Sequence, residues 1–537
     1  MVGIHLKSPA FVRLRDQTRT DPGAFQVSRR IRRAVARDER KIGRRLDAAK
    51  GGLARRSDGP ELAGNPRLEF AERTRAMPYG GVGTMLKLAR EVGLMAKLDD
   101  ELDVIQRPHP YTDADHVMNI ALNILCGGHV LDDIEVRRND IVFLDALGAR
   151  SIPDPTTAGD FCRRFDAEAV LRLMMIVNDI RVDMWRGQGA DFVGETARID
   201  ADGSLVPTEG ECKEGMDVTY KGIWGYHPLV VSLANTQEPL WVLNRGGNRP
   251  SHENAVHFLD ESVRLVRRAG FSDILLRGDT DFSQTEHLDR WDTDGVRFVF
   301  GYDAHPGLVK QADALDETDY ERLEREADRA FAGKRRAKQP RIKEQVVRER
   351  GFKNLVLSHE DVAEFAYQPT KASKSYRMVA LRKTIDEERG QLWIDTHARY
   401  FFYITNDREM SAEQVVREAN DRCNQERLIE QLKSGVRALH APLNTLNANW
   451  AYMVIASLAW TLKAWFAMRL PVSPRWRERH RAQRDRVLRM EFRTFVQTLM
   501  WIPVQVLKTG RRLVYRVLAW RPDLPILFRL DRALDSS

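Results

Sequence analysis

The sequence predicts an α/β fold: a mixed sheet flanked by helices, carrying an inserted β-rich subdomain and preceded by an all-helical N-terminal domain. Three observations lead there. Apolar residues recur at helical spacing up to about residue 188, and short alternating or continuous apolar runs then take over. Those runs come in the order β-β-β-α-β-α-β, a meander followed by helical crossovers, which makes a mixed sheet. Aspartates stand at the ends of two of the predicted strands, Ile199–Ser204 and Ile274–Asp279.

The helical part begins with Leu86, Leu88, Val92, Leu94 and Leu98, spaced two to four residues apart between Val82 and Ile105. Asp113 or Asp115 is placed to cap a second helix, Val117–Cys126, and further helical patterns cover 131–147 and 167–186. Ala197–Asp202 reads as a strand, and Leu229–Leu233 with Leu240–Asn244 as a pair around a turn at 235–239. A helix from Ser251 to Arg268, a strand Asp273–Asp279, a short helix Gln284–Trp291 and a strand Val296–Gly301 complete this series. Residues 303–395 interrupt it with a charged helical stretch, Asp316–Ala332, a basic run, Lys334–Lys338, and alternating strands such as Tyr376–Leu381 and Leu392–Ile394. A last strand, Tyr400–Thr405, leads into a helix whose start, Ser411-Ala412-Glu413-Gln414, has capping-box spacing. The run 450–469 is about membrane-span length, but Lys463 lies within it, and it reads as a helix buried against the sheet.

At 537 residues the chain is too long for one ordinary core. The expected organisation is a basic, flexible arm at 1–60, a helical domain at 61–190, a core formed by 191–302 and 396–470, a β-rich insertion at 303–395, and a basic helical region at 471–537. The net charge of +8 hides a strong asymmetry. Residues 1–56 carry +11 and residues 471–537 carry +9, which leaves −12 between them. Two basic ends around an acidic middle suit polyanion binding outside and metal-binding carboxylates within. The four cysteines, Cys126, Cys162, Cys212 and Cys423, are scattered, which argues against structural zinc and suits a reducing compartment. No apolar signal-peptide core follows the N-terminus, so a cytoplasmic protein with no membrane association is expected.

The chemistry concentrates in Arg422, Glu426 and Lys433. Steps of four and seven residues are about one and two helical turns, so the three side chains share one stripe. An acid between two cations can hold a metal ion while the cations hold phosphates. Together with the strand-end aspartates, Glu426 completes the parts of a divalent-metal site for phosphodiester chemistry. Asp200 and Asp202 are two residues apart and share a strand face, with Asp202 nearer the strand end. Asp279 ends its strand, and Asp281 is already in the turn.

The order of strands with acids at their ends resembles the ribonuclease-H-like arrangement. The motifs resemble those of DDE transposases of bacterial insertion sequences, in the group whose third acid lies in a Tyr-x2-Arg-x3-Glu-x6-Lys signature. Arg422, Glu426 and Lys433 match that spacing, while Ala419 stands at the tyrosine position. Asp202-Gly203-Ser204 resembles the first-acid motif and Arg277–Phe282 the second. The strings Lys221–Pro228 and Asn244–Asn248 resemble the "thirteen-eighty" group of these elements. The resemblance implies a transposase that binds terminal inverted repeats, cuts DNA at the element ends and joins the 3′-hydroxyls to target DNA. It implies Asp202, Asp279 and Glu426 as catalytic acids binding two Mg2+ (or Mn2+) ions, Arg422 and Lys433 on DNA, and a homodimer in the synapse. Asp200, His227 and Arg245 are further candidates, as is Trp393 for stacking an unpaired base. The alternatives are a metal-dependent nuclease or a domesticated DNA-binding relative.

Overall fold

The computed structural model describes residues 74–535, except 108–109, 211, 325–352, 390–391 and 511, together with a few helical residues between 37 and 51. The chain divides into two compact units, Met1–Leu68 and Glu69–Ser537. Most of the expected basic arm and the run Lys334–Lys338 therefore lie outside the described residues.

The larger unit opens with helices α1 (Val82–Glu91), α2 (Leu94–Glu101), α3 (Asp113–Leu125), α4 (Ile134–Arg138), α5 (Ile141–Leu147), α6 (Pro155–Arg163) and α7 (Ala167–Arg186). The cap of α3 is Thr112, one residue before Asp113 and three before Asp115. Its Oγ1 accepts from the Asp115 amide at 3.3 Å, and Asp115 accepts from the Thr112 amide at 3.1 Å. Asp113 instead turns inward and accepts from the amides of Val104 and Ile105. Asp154 and Asp166 cap α6 and α7 in the ordinary way, each accepting an amide three residues on.

A nine-stranded mixed sheet follows. Its strands are β1 (Ala197–Gly203), β2 (Leu229–Leu233), β3 (Glu238–Leu243), β4 (Ile274–Gly278), β5 (Arg297–Tyr302), β6 (Glu321–Arg322), β7 (Lys353–Tyr367), β8 (Tyr376–Arg389) and β9 (Leu392–Thr405). The spatial order is β6-β7-β8-β9-β5-β4-β1-β2-β3. β1, β4 and β5 are mutually parallel, and all other neighbours are antiparallel. Helix α8 (Ala255–Ala269) links β3 to β4, α9 (Leu288–Thr293) links β4 to β5, and α10 (Pro306–Asp313) follows β5. In β1 the buried Ala197, Ile199 and Ala201 form an apolar face, and Arg198, Asp200 and Asp202 alternate onto the other.

The segment 303–395 departs from expectation. The stretch 316–324, expected to be helical, holds one 3-10 turn at Glu317–Asp319 and then β6, which pairs with β7. Hairpins β7–β8–β9 extend the main sheet rather than building a sheet of their own, and β9 runs on without a break to pair with β5. One apolar cluster spans the join: Leu275, Val299, Val362, Val379 and Leu381 from the sheet, with Val415 and Val416 from α11 (Ala412–Asn420).

Beyond α11 come α12 (Cys423–Glu430), α13 (Leu446–Met468) and α14 (Arg477–Arg489). The C-terminal region, expected to be helical, also forms a hairpin, β10 (Val504–Thr509) with β11 (Arg512–Val517), before α15 (Leu524–Leu534). α13 is long and apolar enough to cross a membrane by length and composition, yet it is enclosed by protein along its whole length. Lys463 is accommodated there by donating to the Leu488 carbonyl at 2.8 Å and lying 3.6 Å from the Trp460 ring centre. Glu238, fully buried at the start of β3, accepts from Arg181, Trp185 and Trp465, and so joins α7 and α13 to the sheet edge.

The helical N-terminal part carries an acid-sensitive element. His116 on α3 is buried and stacked on Phe161 at 4.5 Å, and burial lowers its pKa to about 4. The unfolded chain takes up that proton near 6.5, so stability is complete above pH 6.5 and falls as the pH drops towards 4. This group alone should cost about 2 kcal/mol between pH 7 and pH 5. Urea unfolding at the two pH values should show that loss in the wild type and a smaller one in His116→Phe. Equal losses in both proteins would assign the acid sensitivity elsewhere.

Candidate active site

The site forms where β1 and β4 end. The two strands are parallel, with Asp200 in register with Arg277. Their side chains meet in a buried, two-pronged ion pair, with Arg277 Nε 2.6 Å from Asp200 Oδ1 and Nη2 2.8 Å from Oδ2. Both residues are 1% exposed or less, so Asp200 is committed to structure and is closed to an external ligand. Two residues further along each strand stand Asp202 and Asp279, on the same face by strand periodicity. Asp202 is still in β1, one residue from its end. Asp279 follows β4 and caps a 3-10 turn, accepting from the Asp281 amide at 3.0 Å.

Glu426 reaches this edge on α12. The sequence suggested one helix from Ser411, but the helix breaks at Asp421-Arg422, and α12 then widens into a π-turn over Gln431–Gly435. The predicted capping box at Ser411 is present. Two anchors hold the broken helix over the sheet. Glu418, at the end of α11, accepts from Arg198 of β1 and from Arg277 at 2.9 Å. Gln425, buried, donates to the Val230 carbonyl at 3.0 Å and pairs with the Ser232 hydroxyl on β2. Val230 is the cross-strand partner of Asp202 and Ser232 that of Asp200, so Gln425 sets Glu426 above the first acid.

Arg422, at the break, approaches Asp202 at 3.4 Å. Burial, reinforced by the negative charges of Asp279 and Glu426, outweighs that arginine and pushes Asp202 up to about 7. Burial likewise raises Asp279, with Arg422 opposing and Asp281 and Asp303 adding to the rise. Lys433, in the π-turn, is half-buried, and burial lowers its pKa, with Lys221 adding to the effect and Asp202 opposing it. The chain therefore brings Asp202, Asp279, Glu426 and Arg422 within electrostatic reach of one another, with Lys433 at the rim.

The remaining candidates lie beside this group or away from it. The His227 ring is held by a 2.9 Å contact between Nδ1 and the Arg249 carbonyl, and its Nε2 lies against Gly203, next to Asp202. Burial lowers its pKa, with Arg245 and Lys433 adding to the effect and the Arg249 carbonyl and Asp281 opposing it. Arg245 is buried and gives its guanidinium to the carbonyls of His227, Pro250, Ser251 and Glu253, so it braces the loop before α8. Trp393 lies near the start of β9, opposite Glu388, and its side chain is outside the described residues. The motif reading did not single out Gln425, Glu418 or Asp303. A glutamine next to the key acid was the available signal for Gln425, whereas Glu418 and Asp303 become visible only once the strands are aligned.

Three carboxylates offer hard oxygen donors suited to Mg2+ or Mn2+. Among the described residues, no three His, Cys, Asp or Glu side chains stand close enough to form a ready-made ion cluster. Burial and the like charges beside it hold Asp202 near 7, and a divalent cation would relieve both, so the donor set fits such an ion in its chemistry.

Among solved structures, the chain is similar to the piggyBac transposase seen by cryo-EM in a synaptic complex with hairpin DNA, at 11% identity and a TM-score of 0.30, covering 78% of this chain and 87% of that one. No curated protein matches the sequence. Residues 75–534 match the model of the family described as transposase DDE domain, group 1. The chain belongs to that family.

Proposed function

We propose that this protein is an insertion-sequence transposase of the "thirteen-eighty" group with a ribonuclease-H-like core. In this reading it binds the terminal inverted repeats of its element as a dimer, cleaves DNA at the ends and joins the 3′-hydroxyls to target DNA. The observation that carries the reading is that Asp202 and Asp279 stand at the ends of adjacent parallel strands, with Glu426 within electrostatic reach of Asp202 on the helix that Gln425 anchors. The order β3-β2-β1-β4-β5, antiparallel on one side of β1 and parallel on the other, supports the core assignment.

Asp202, Asp279 and Glu426 would hold two divalent ions, which when bound supply Lewis-acid stabilisation of the entering and leaving oxygens of an in-line displacement. The protein's own groups do the rest. Asp202 must be ionised to serve, and burial, with the charges of Asp279 and Glu426 adding to it, holds it near 7. Arg422 partly neutralises it and presents a planar fork to a phosphate oxygen. Lys433 adds a point charge beyond the scissile phosphate. The Asp200–Arg277–Glu418 network keeps the supporting strands and α11 in place without using any of the reacting carboxylates.

Three outcomes test this. Asp279→Asn should abolish Mg2+-dependent cleavage of DNA carrying the element end while leaving end binding within about twofold in a gel-shift titration, because one charge-neutral side chain replaces a ligand of the same size. Retained nicking would remove Asp279 from the chemistry. The cleavage rate at low Mg2+ should rise through pH 7 as Asp202 loses its proton, and a profile flat from pH 6 to 8 would contradict the raised pKa. Lys433→Ala should weaken binding of a pre-cut end about tenfold while leaving half-saturating Mg2+ unchanged. Normal affinity with altered Mg2+ dependence would make Lys433 a residue that tunes the acids.

A further inference from the structure

Beside the acids stands a small three-stranded sheet made of Val206–Pro207, Asp217–Val218 and Trp224–Tyr226. Its outer hairpin carries apolar and aromatic side chains that face solvent. Tyr220 is 75% exposed and Trp224 54%, with Ile223 and Val218 exposed beside them. Exposed aromatics of this size on one short hairpin are uncommon on a surface with no partner.

The hairpin is rigid. Its turn is closed by the Ile223 amide donating to Thr219 Oγ1 at 3.1 Å, the Thr219 amide to the Ile223 carbonyl at 2.8 Å and the Gly222 amide to the Thr219 carbonyl at 2.8 Å. Gly222 has a φ of +73°, which a side chain would strain. At the base, a Cβ on Gly247 would sit 2.4 Å from the Asp217 carbonyl oxygen and 2.7 Å from that of Gly225, so only glycine lets the Asn244–Asn248 loop lie against the hairpin. Tyr226 ties the same strand to the Glu214 carbonyl at 2.7 Å. Tyr220 is thus presented on a fixed support.

The position is specific. The Tyr220 ring centre lies 6.3 Å from that of His227, which lies against Gly203 beside Asp202. Lys221, at the tip, lies 5.4 Å from the Tyr220 ring centre and is near enough to Lys433 for their charges to repel. Aromatic rings interleaved with cations next to a phosphodiester site are the elements of a single-strand platform: rings stack bases, and ammonium groups hold the intervening phosphates.

We propose that Tyr220, with Trp224 and Lys221, stacks an unpaired nucleobase at the DNA end, immediately next to the phosphate engaged by the acids. This rests on the transposase reading above and adds a positioning element to it. The platform selects a frayed or single-stranded end over intact duplex.

The test compares two probes on the full-length protein: a blunt duplex, and the same duplex with an unpaired overhang carrying aminopurine. The wild type should bind the overhang more tightly and quench its fluorescence. Tyr220→Ala should lose about fivefold or more in affinity for the overhang, with the quenching gone and blunt-duplex affinity unchanged. Tyr220→Phe should retain both signals, because the ring and not the hydroxyl does the stacking. An unaltered thermal midpoint is expected, since the turn is closed by backbone groups and Thr219. If Tyr220→Ala matches the wild type on both probes, the inference is wrong while the transposase reading stands. If the wild type binds neither probe, both are wrong. A self-association lost in Tyr220→Ala with overhang binding intact would make the hairpin an interface between copies and overturn the platform.

Discussion

The buried salt bridge between Asp200 and Arg277 is the constraint on which the rest of the site depends. It joins the middle strands of the sheet at one register position, and Glu418 extends it to the helix above. Removing one partner of such a pair leaves an uncompensated buried charge, which costs roughly 3–5 kcal/mol. Its value lies more in specificity than in net stability. A slip of one residue between β1 and β4 would turn Asp202 or Asp279 to the opposite face. With the pair formed, both acids stand two residues on, at the same edge and on the same side. The two arginines that reach Glu418, Arg198 and Arg277, come from adjacent strands, so the helix is positioned by the register of the sheet.

A gradient of satisfaction runs along these strands. At Asp200 and Arg277 every charge is paired and shielded from water. One step outward, Arg422 contacts Asp202 and acts on Asp279, and Asp202 is held near 7 by burial and by the acids around it. Carboxylates gathered on rigid supports are costly to the fold, and that cost is characteristic of sites that await a cation. The satisfied layer bears the structural load and leaves the outer acids without a structural task.

Much of this is legible in the sequence, for identifiable reasons. β1, β4 and β5 announce themselves as short apolar runs, and the capping box at Ser411 by its spacing. The acids at strand ends stand out because they close runs that are otherwise mostly apolar. The division of labour between Asp200 and Asp202 is not legible, since both lie on one strand face and only the arrival of Arg277, 77 residues later, decides which is buried. The break at Asp421-Arg422 and the π-turn at Gln431–Gly435 are hidden too, because helical periodicity persists through them. The charged stretch after Asp316 reads as helix by composition, yet its start pairs with β7, where a sheet edge overrides weak local preference.

The continuity of the sheet has a consequence for how the site is controlled. α11 packs Val415 and Val416 against Leu275 and Val299 of the central strands and against Val362, Val379 and Leu381 of the long hairpins at once. The same helix carries Glu418 and leads directly into Arg422 and Glu426. The third acid is therefore placed from three directions: by apolar packing against the hairpin strands, by the ion network at Glu418, and by Gln425 on β2. Any force that bends β7–β9, such as DNA lying along them, acts on α11 through a shared core and not through a flexible linker. Close-packed interiors transmit such displacements with little loss. Glu426 is the exposed and least enclosed of the three acids, so it is the one whose approach to Asp202 and Asp279 that coupling would govern.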